Sequence, residues 1–205
     1  MTEDSWLTSP DANALISFAR SRKTAWRRGA WGRKMRQVWC HFYRQLWDRL
    51  PDDSFRTALT AAEQHMDKVI SRDEFRYACT DALQTLHWLK SPLSNPFVGF
   101  LTQVEGSKCN DLVTRHHPPE LREAVRDIFG NPFRPVAFAS TWRTSTAVGV
   151  AQTMYDARDF GAMPILADAL QDAGCENANV LDHCRDEKQT HVRGCWVVDL
   201  VLDKS

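Results

Sequence analysis

The chain has 205 residues, 26 basic and 26 acidic side chains and 43% apolar residues, a composition typical of a globular protein of one domain or two small ones that needs neither disulfides nor metal to build a core. Its apolar runs are far shorter than the roughly 20 residues that span a bilayer, and its first residues are acidic where a secretory signal would be basic. Six cysteines in a chain of this kind predict a reducing, cytoplasmic location.

The first 90 residues predict four helices, because apolar residues recur there at three- and four-residue spacing. Ser9 and Pro10 predict the start of a helix over about 10–22. Gly29 and Gly32 are expected to interrupt the chain before the second helix, and Pro51 to separate the second helix from the third. Ser71 and Glu74 have capping-box spacing and predict the start of the fourth. The predicted apolar stripes are Met35, Trp39, Phe42, Leu46 and Leu50; Phe55, Leu59, Ala62, Met66 and Val69; and Phe75, Ala78, Ala82, Leu86 and Leu89.

The second half of the chain predicts a connector followed by shorter helices. A helix is expected from Pro118 or Pro119 to Phe129, followed by an extended turn over 130–135. Further helices are predicted over about 141–159 and 163–173, the latter ended by Gly174, and a short one is capped by Asn177. The last segment, 196–202, suits a helix or a strand, and a helix is preferred.

These elements together predict an all-α fold of about eight helices. We expect a basic N-terminal helical bundle over 1–90, an irregular connector over 91–117 and a C-terminal helical unit over 118–205. A single continuous domain is the alternative to this division.

Charge is concentrated in the segment from Arg20 to Arg49, which holds ten of the 26 basic residues and one of the 26 acidic residues. The segment is therefore strongly positive, and the rest of the chain is negative by the same amount. This pattern favours a non-enzymatic interaction module that binds an acidic protein surface or nucleic acid. The alternatives are that the segment contacts the acidic remainder of its own chain or is merely solvated, or that it lies on an anionic membrane surface. The candidate partner-binding residues are Arg27, Arg28, Trp31, Arg33, Lys34 and Arg36.

Four tryptophans are interleaved with these cations. Aromatic rings stack on unpaired bases, which fits nucleic-acid binding. Trp39 lies on a predicted apolar stripe with Trp47 beside it, so both are expected in the core. Trp26 and Trp31, next to glycines, are the two expected to meet a ligand.

A second function, from another class, is indicated near the C terminus. Five thiol and imidazole side chains lie within one short segment, and zinc binds these groups in a tetrahedron. The candidate ligands are Cys175, His183, Cys184, His191 and Cys195. His191, Cys195 and Cys175 would bind zinc, with His183 or Cys184 completing the site of a zinc protein or metal-dependent enzyme. The alternative is that the cysteines are small buried hydrophobic residues; without a metal, no cofactor is expected.

Most motifs of catalysis are missing from the sequence. It has no Gly-x-Ser-x-Gly, Ser-x-x-Lys, His-Glu-x-x-His, phosphate-binding loop or Gly-x-Gly-x-x-Gly. A general base at His116 or His117, and a reactive thiol at Cys109, are weaker candidates. The chain is therefore expected not to be an enzyme.

Three motifs resemble those of a family of bacterial proteins with no established reaction. The middle motif is IFGNPFRP, residues 128–135, and the C-terminal signature reads PILADALQDAGC, then HCR, then HVRGCWVVDL, ending at Leu200. The opening residues 1–7 are also similar. That family often carries paired cysteines followed by paired arginines in the region of 34–50, where this chain has VWCHFY. The resemblance implies no activity.

Overall fold

The computed structural model describes residues 1–22, 30–50, 52–88 and 119–204. Within these ranges all regular structure is helical, with eleven α-helices and no strand, which confirms the predicted all-α fold. The helices are α1 (Glu3–Thr8), α2 (Ala12–Ser21), α3 (Ala30–Gln45), α4 (Asp53–Met66), α5 (Arg72–Ala78), α6 (Thr80–Trp88), α7 (Pro119–Phe129), α8 (Ser145–Ala157), α9 (Met163–Asp172), α10 (Ala178–Arg185) and α11 (Trp196–Val201). Short 3-10 turns cover Trp47–Arg49 and Ser140–Trp142. Among the described helices, none combines the length and the apolar character that a membrane span requires.

The chain divides into two compact units. The terminal unit comprises residues 1–27 and 122–205, and the middle unit comprises residues 28–121. The helical pattern of the sequence predicts a different grouping, with residues 1–90 in one bundle. The first two helices lie with the C-terminal part because Arg126 donates hydrogen bonds to the carbonyls of Trp6 and Ser9, at 2.9 and 2.5 Å. Such contacts, between residues more than 100 positions apart, leave no local pattern in the sequence. The predicted connector 91–117 lies outside the described residues.

In the middle unit, α3 and α4 differ from their predicted bounds. α3 begins at Ala30, so Gly32 lies inside the helix and does not interrupt it, and it ends at Gln45 before the 3-10 turn at 47–49. Three of the five residues of the predicted stripe are buried, Met35, Trp39 and Leu50, whereas Phe42 and Leu46 are partly exposed. α4 begins after Asp52, whose carboxylate accepts a hydrogen bond from the amide of Ser54 at 2.8 Å.

The capping box at the start of α5 is confirmed. The Ser71 amide donates to Glu74 Oε2 at 2.8 Å, and the Glu74 amide donates to Ser71 Oγ at 3.2 Å. The bond from the Ser71 amide, followed by the Ser71 side chain, lowers the pKa of the Glu74 carboxyl group. The predicted single helix divides at Cys79 into α5 and α6. There Thr80 donates its hydroxyl to the carbonyl of Arg76 at 3.2 Å, a bond of the kind that bends helices.

The terminal unit begins with a helix that the sequence analysis did not predict. α1 is capped by Thr2, whose hydroxyl accepts a hydrogen bond from the amide of Ser5 at 3.2 Å, and it buries Trp6. α2 begins two residues later than predicted, because Asp11 and not Ser9 is its cap: the Asp11 carboxylate accepts the Asn13 amide at 2.9 Å.

The C-terminal helices confirm most of the predicted boundaries. Asn177 caps α10, Gly174 follows α9 with a positive φ of 86°, and the ambiguous last segment is helical as α11. α8 departs most from its predicted range, since a 3-10 turn precedes it and Thr144 caps it. The inward faces of α8 to α11 form one apolar core with Cys175, Cys184 and Cys195 among its members.

Gly130 ends α7 in a conformation that favours glycine. Its φ is +69°, and its amide donates to the carbonyl of Arg126 at 2.8 Å. A Cβ atom placed on Gly130 would lie 3.1 to 3.3 Å from three indole atoms of Trp196, which is closer than side-chain carbons normally approach. The residue therefore combines a left-handed backbone with a tight approach of the α7 end to Trp196.

We expect Gly130→Ala to lower the free energy of unfolding by about 1–3 kcal/mol, because alanine is strained at positive φ and its methyl group meets the Trp196 ring. Urea denaturation followed by circular dichroism measures the change. Gly149→Ala is the matched control, since Gly149 lies inside α8 with no atom near its Cβ position. That control should raise stability by about 0.5–1 kcal/mol. Equal stability of Gly130→Ala and the unmodified chain would contradict the prediction.

Candidate metal centre

Four side chains with metal-binding atoms meet in the terminal unit: Asp127, His183, His191 and Cys195. One such atom from each residue lies within 4.8 Å of all the others. Asp127 and Cys195 are fully buried, and the side chains of His183 and His191 are only 8% and 7% exposed. They come from α7, from α10 and from the loop before α11, so tertiary packing assembles the cluster.

α7 carries Asp127 on its buried side. Ala124, Val125 and Ile128 of this helix have no exposed surface, and neither has Asp127. A carboxylate is tolerated in such surroundings only when hydrogen bonds or charges compensate it. The partners of Asp127 are the amide of Val192, which donates to Oδ2 at 2.8 Å, and the two imidazoles, which face Oδ1.

His183, on α10, packs against the first residue of α11. Asn177 caps the start of α10: the Val180 amide donates to Asn177 Oδ1 at 3.4 Å. The ring of His183 packs against Trp196, with centroids 5.0 Å apart, and against His191 at 4.9 Å. These ring contacts direct His183 Nε2 toward Asp127 and Cys195.

A tight turn places His191 and Cys195 side by side. The Cys195 amide donates to the Val192 carbonyl at 2.8 Å, and Gly194 takes a φ of +101°. Both residues lie before α11, which begins only at Trp196. Nε2 of His191 is buried without a hydrogen-bond partner among the described residues, so the polar contacts of this ring are made through Nδ1.

The four donor atoms surround one common point. His183 Nε2 is 3.2 Å from both Asp127 Oδ1 and Cys195 Sγ. His191 Nδ1 is 3.0 Å from Asp127 Oδ1 and 4.0 Å from Cys195 Sγ. An imidazole nitrogen carries at most one proton, so His183 cannot donate to both of its neighbours. In a tetrahedron with zinc–ligand bonds of normal length the ligand atoms are about 3.3–3.7 Å apart, and these separations bracket that range.

The pKa values of the two acidic members of the cluster are shifted in opposite directions. Burial alone would raise the pKa of Asp127, but the hydrogen bonds and charges of His183 and His191 outweigh it and lower that pKa. The pKa of the Cys195 thiol is raised well above its ordinary value, first by burial and then by the charge of Asp127. The metal-free cluster therefore holds a carboxylate beside a protonated thiol.

Three of the five predicted zinc ligands come together, and two do not. His183, His191 and Cys195 belong to the cluster, whereas Cys175 and Cys184 are buried in the apolar core. Burial raises the pKa of Cys184 to about 12, so it is a thiol. The fourth member, Asp127, was missed by the sequence analysis. Its signal in the sequence is an acidic residue beside the apolar stripe of a predicted helix.

Of the predicted partner-binding cations, the three that the structure describes lie in the middle unit. Arg33 donates to the Met66 carbonyl at 3.0 Å and pairs with Asp67 at 3.2 Å. Lys34 is only 4% exposed, and burial lowers the pKa of Arg36. Of these observations, the Arg33–Asp67 pair is a contact with an acidic residue of the same chain. Arg27 and Arg28 lie outside the described residues, and Trp31 is half-buried with contacts of its own.

The other predicted aromatic and catalytic candidates are placed as follows. Trp39 is buried as expected, and Trp47 lies under the guanidinium of Arg44, 4.1 Å from its ring centroid. Trp26, Cys109 and the pair His116 and His117 lie outside the described residues.

Comparison of the chain with protein-family models, with curated proteins and with solved structures gave no match. The resemblance of its motifs to a bacterial family therefore stays a prediction.

Replacement of Asp127 tests how much its carboxylate contributes to the stability of the fold without bound metal. We expect Asp127→Asn to lower the free energy of unfolding at pH 7 by about 1.5–3 kcal/mol, because hydrogen bonds to a charged group are lost. The pKa of Asp127 is lowered on folding, so its contribution is complete above the ordinary value of 3.8 and is lost as the pH falls through the lower folded value. The difference between variant and unmodified chain should therefore shrink below about pH 4.

The measurement is urea denaturation in buffer with a chelator, from pH 7 down to pH 3. Asp182→Asn is a control, since Asp182 is an exposed carboxylate on α10, next to a member of the cluster. A stability difference for Asp127→Asn that stays constant over this pH range would contradict the assignment.

Proposed function

We propose that the protein binds one structural zinc ion through Asp127, His183, His191 and Cys195. The observation that carries this proposal is the convergence of four donor atoms, from separate parts of the chain, within 4.8 Å of one another. A cluster held only by hydrogen bonds needs no such convergence, because one acceptor satisfies the N–H group of each neutral imidazole.

The donor types favour zinc over other biological cations. The cluster offers one thiol, two imidazoles and one carboxylate. Calcium and magnesium prefer oxygen ligands, whereas zinc binds sulfur, nitrogen and oxygen together in a tetrahedron. Zinc binding would also compensate the buried negative charge, since a dication neutralises the Asp127 carboxylate and stabilises the thiolate of Cys195.

Burial favours a structural over a catalytic role. Catalytic zinc sites keep one position open for water or substrate, whereas structural sites take four protein ligands. Here four side chains that are at most 8% exposed would fill all four positions. The ion would therefore connect α7, α10 and the loop before α11, and it would stabilise the fold by the free energy of its binding.

The site fits a reducing compartment. All five described cysteines are free thiols, and Cys195 must stay reduced to bind zinc. We therefore keep the cytoplasm as the proposed location and a non-enzymatic protein as the proposed class. Binding of an acidic partner or nucleic acid by the segment 20–49 remains a separate prediction.

Elemental analysis of the purified, tag-free protein should give one zinc per chain, retained through dialysis. We expect the double variant His191→Ala/Cys195→Ser to contain none, because it removes two of the four ligands. The conservative variant Cys184→Ala is the matched control: it removes a neighbouring buried thiol outside the cluster and should keep its zinc. Zinc-free protein that also fails to bind added zinc would refute the proposal.

Cobalt(II) distinguishes a true thiolate ligand from a structural effect of the substitution. Cobalt takes the same tetrahedral geometry and gives a thiolate charge-transfer band that the zinc complex lacks. The band should appear in the unmodified chain and in Cys184→Ala, and should be lost in Cys195→Ser. Its persistence in Cys195→Ser would exclude Cys195 as a ligand.

Zinc affinity should rise with pH. Cys195 is a thiol in the metal-free protein because its pKa is raised, so zinc binding must displace this proton. Release of one proton changes the apparent affinity by about tenfold per pH unit. Competition with a chelator of known affinity between pH 7 and 8 measures this slope. A pH-independent affinity would show that no thiol proton is displaced.

A further inference from the structure

The turn that carries Asp127 also holds the first two helices of the chain. Arg126 is the neighbour of Asp127 in α7, about 100° around the helix. Its guanidinium donates to the carbonyls of Trp6 and Ser9, at 2.9 and 2.5 Å, and its side chain is 12% exposed. Two consecutive residues therefore face the proposed zinc site and the end of α1.

The residues after α7 extend this contact. Asn131 donates to Glu3 Oε1 at 2.7 Å, and Arg134 pairs with the same carboxylate at 2.5 Å. Phe133 stacks on Phe18 of α2, with ring centroids 5.3 Å apart and planes 9° apart. The segment 126–134 is thus the docking surface for residues 1–22.

α1 and α2 depend on this surface for their structure. They have six and ten residues, and helices of this length are marginal in water without tertiary contacts. Trp6 is 1% exposed in the docked state, so release of α1 and α2 would expose a large aromatic side chain. Docking requires that the last turn of α7 and the chain after it keep their positions.

Metal binding would restrain that same turn. Asp127 lies in the last turn of α7, and Gly130 at its end packs against Trp196, the residue after Cys195. A bound zinc ion would fix Asp127 relative to Cys195, and so fix the position of 126–134. We infer that zinc occupancy and docking of the amino-terminal helices are thermodynamically coupled, so that zinc orders residues 1–22. This inference rests on the proposed zinc site.

Hydrogen exchange of the full chain tests the coupling directly. Zinc should slow exchange in residues 1–22 by about 5- to 150-fold relative to chelator, the range typical of coupled sites. α4 of the middle unit, which contributes no ligand, is the internal control and should exchange at the same rate in both states.

The reciprocal effect is the sharper test, because coupling must act in both directions. Phe18→Ala removes the stack on Phe133 and should weaken zinc binding by about fivefold or more. Ser17→Ala, an exposed position on α2, is the matched control and should stay within about twofold. Affinities are compared at a temperature where circular dichroism shows each variant folded.

A second pair of variants, with smaller changes, tests the coupling if Phe18→Ala does not fold. Glu3→Gln removes the charge that pairs with Arg134 and weakens the hydrogen bond from Asn131, whereas Asp4→Asn removes an exposed charge from the same helical turn. Glu3→Gln should weaken zinc binding by about twofold or more relative to Asp4→Asn. Zinc binding with unchanged exchange and equal affinities would overturn the coupling but leave the zinc site standing. Absence of zinc binding to the unmodified chain would overturn both.

Discussion

The carboxylate of Asp127 organises the terminal unit around a buried negative charge. Such a charge is unfavourable in an apolar interior unless polar groups surround it. Three groups do so here: the amide of Val192 and the imidazoles of His183 and His191. Each belongs to a part of the chain more than 50 residues after α7, so satisfying one carboxylate determines how α7, α10 and the loop before α11 pack. The centre therefore follows from a local electrostatic requirement, and the metal would use an arrangement that the carboxylate already favours.

The local elements of this fold could be predicted because their signals are local. The Ser71 capping box, the Asn177 cap and the glycine at 174 each act within one helical turn, and all three are confirmed. Two errors also have local causes. Asp11 caps α2 in place of Ser9, since both residues accept hydrogen bonds well, and Thr80 divides a helix whose apolar spacing continues across it.

The candidate site could be predicted only in part, because its members are joined by tertiary contacts. His183, His191 and Cys195 lie within one short stretch and were found from residue type alone. Asp127 lies 56 residues before His183, and nothing in its sequence neighbourhood predicts that pairing. The same limit applies to Arg126 and its contacts with the first helices. An acidic residue beside a predicted apolar stripe indicates a buried partner, but it does not identify the partner.

The three neighbouring cysteines show why residue type is insufficient. Cys175, Cys184 and Cys195 are all buried in the same core. A buried thiol is ordinarily inert, because an apolar environment disfavours the thiolate. Cys184 has that character, since burial raises its pKa to about 12 and its sulfur is not part of the cluster. Cys195 differs in its contacts: its sulfur lies 3.2 Å from His183 Nε2 and within 4.8 Å of a carboxylate oxygen of Asp127, whose charge raises the pKa of both thiols. The charge that suppresses the thiolate in the metal-free protein is the same charge that would attract a dication. Contact with both the imidazoles and the carboxylate of the cluster therefore distinguishes a potential ligand from a packing residue.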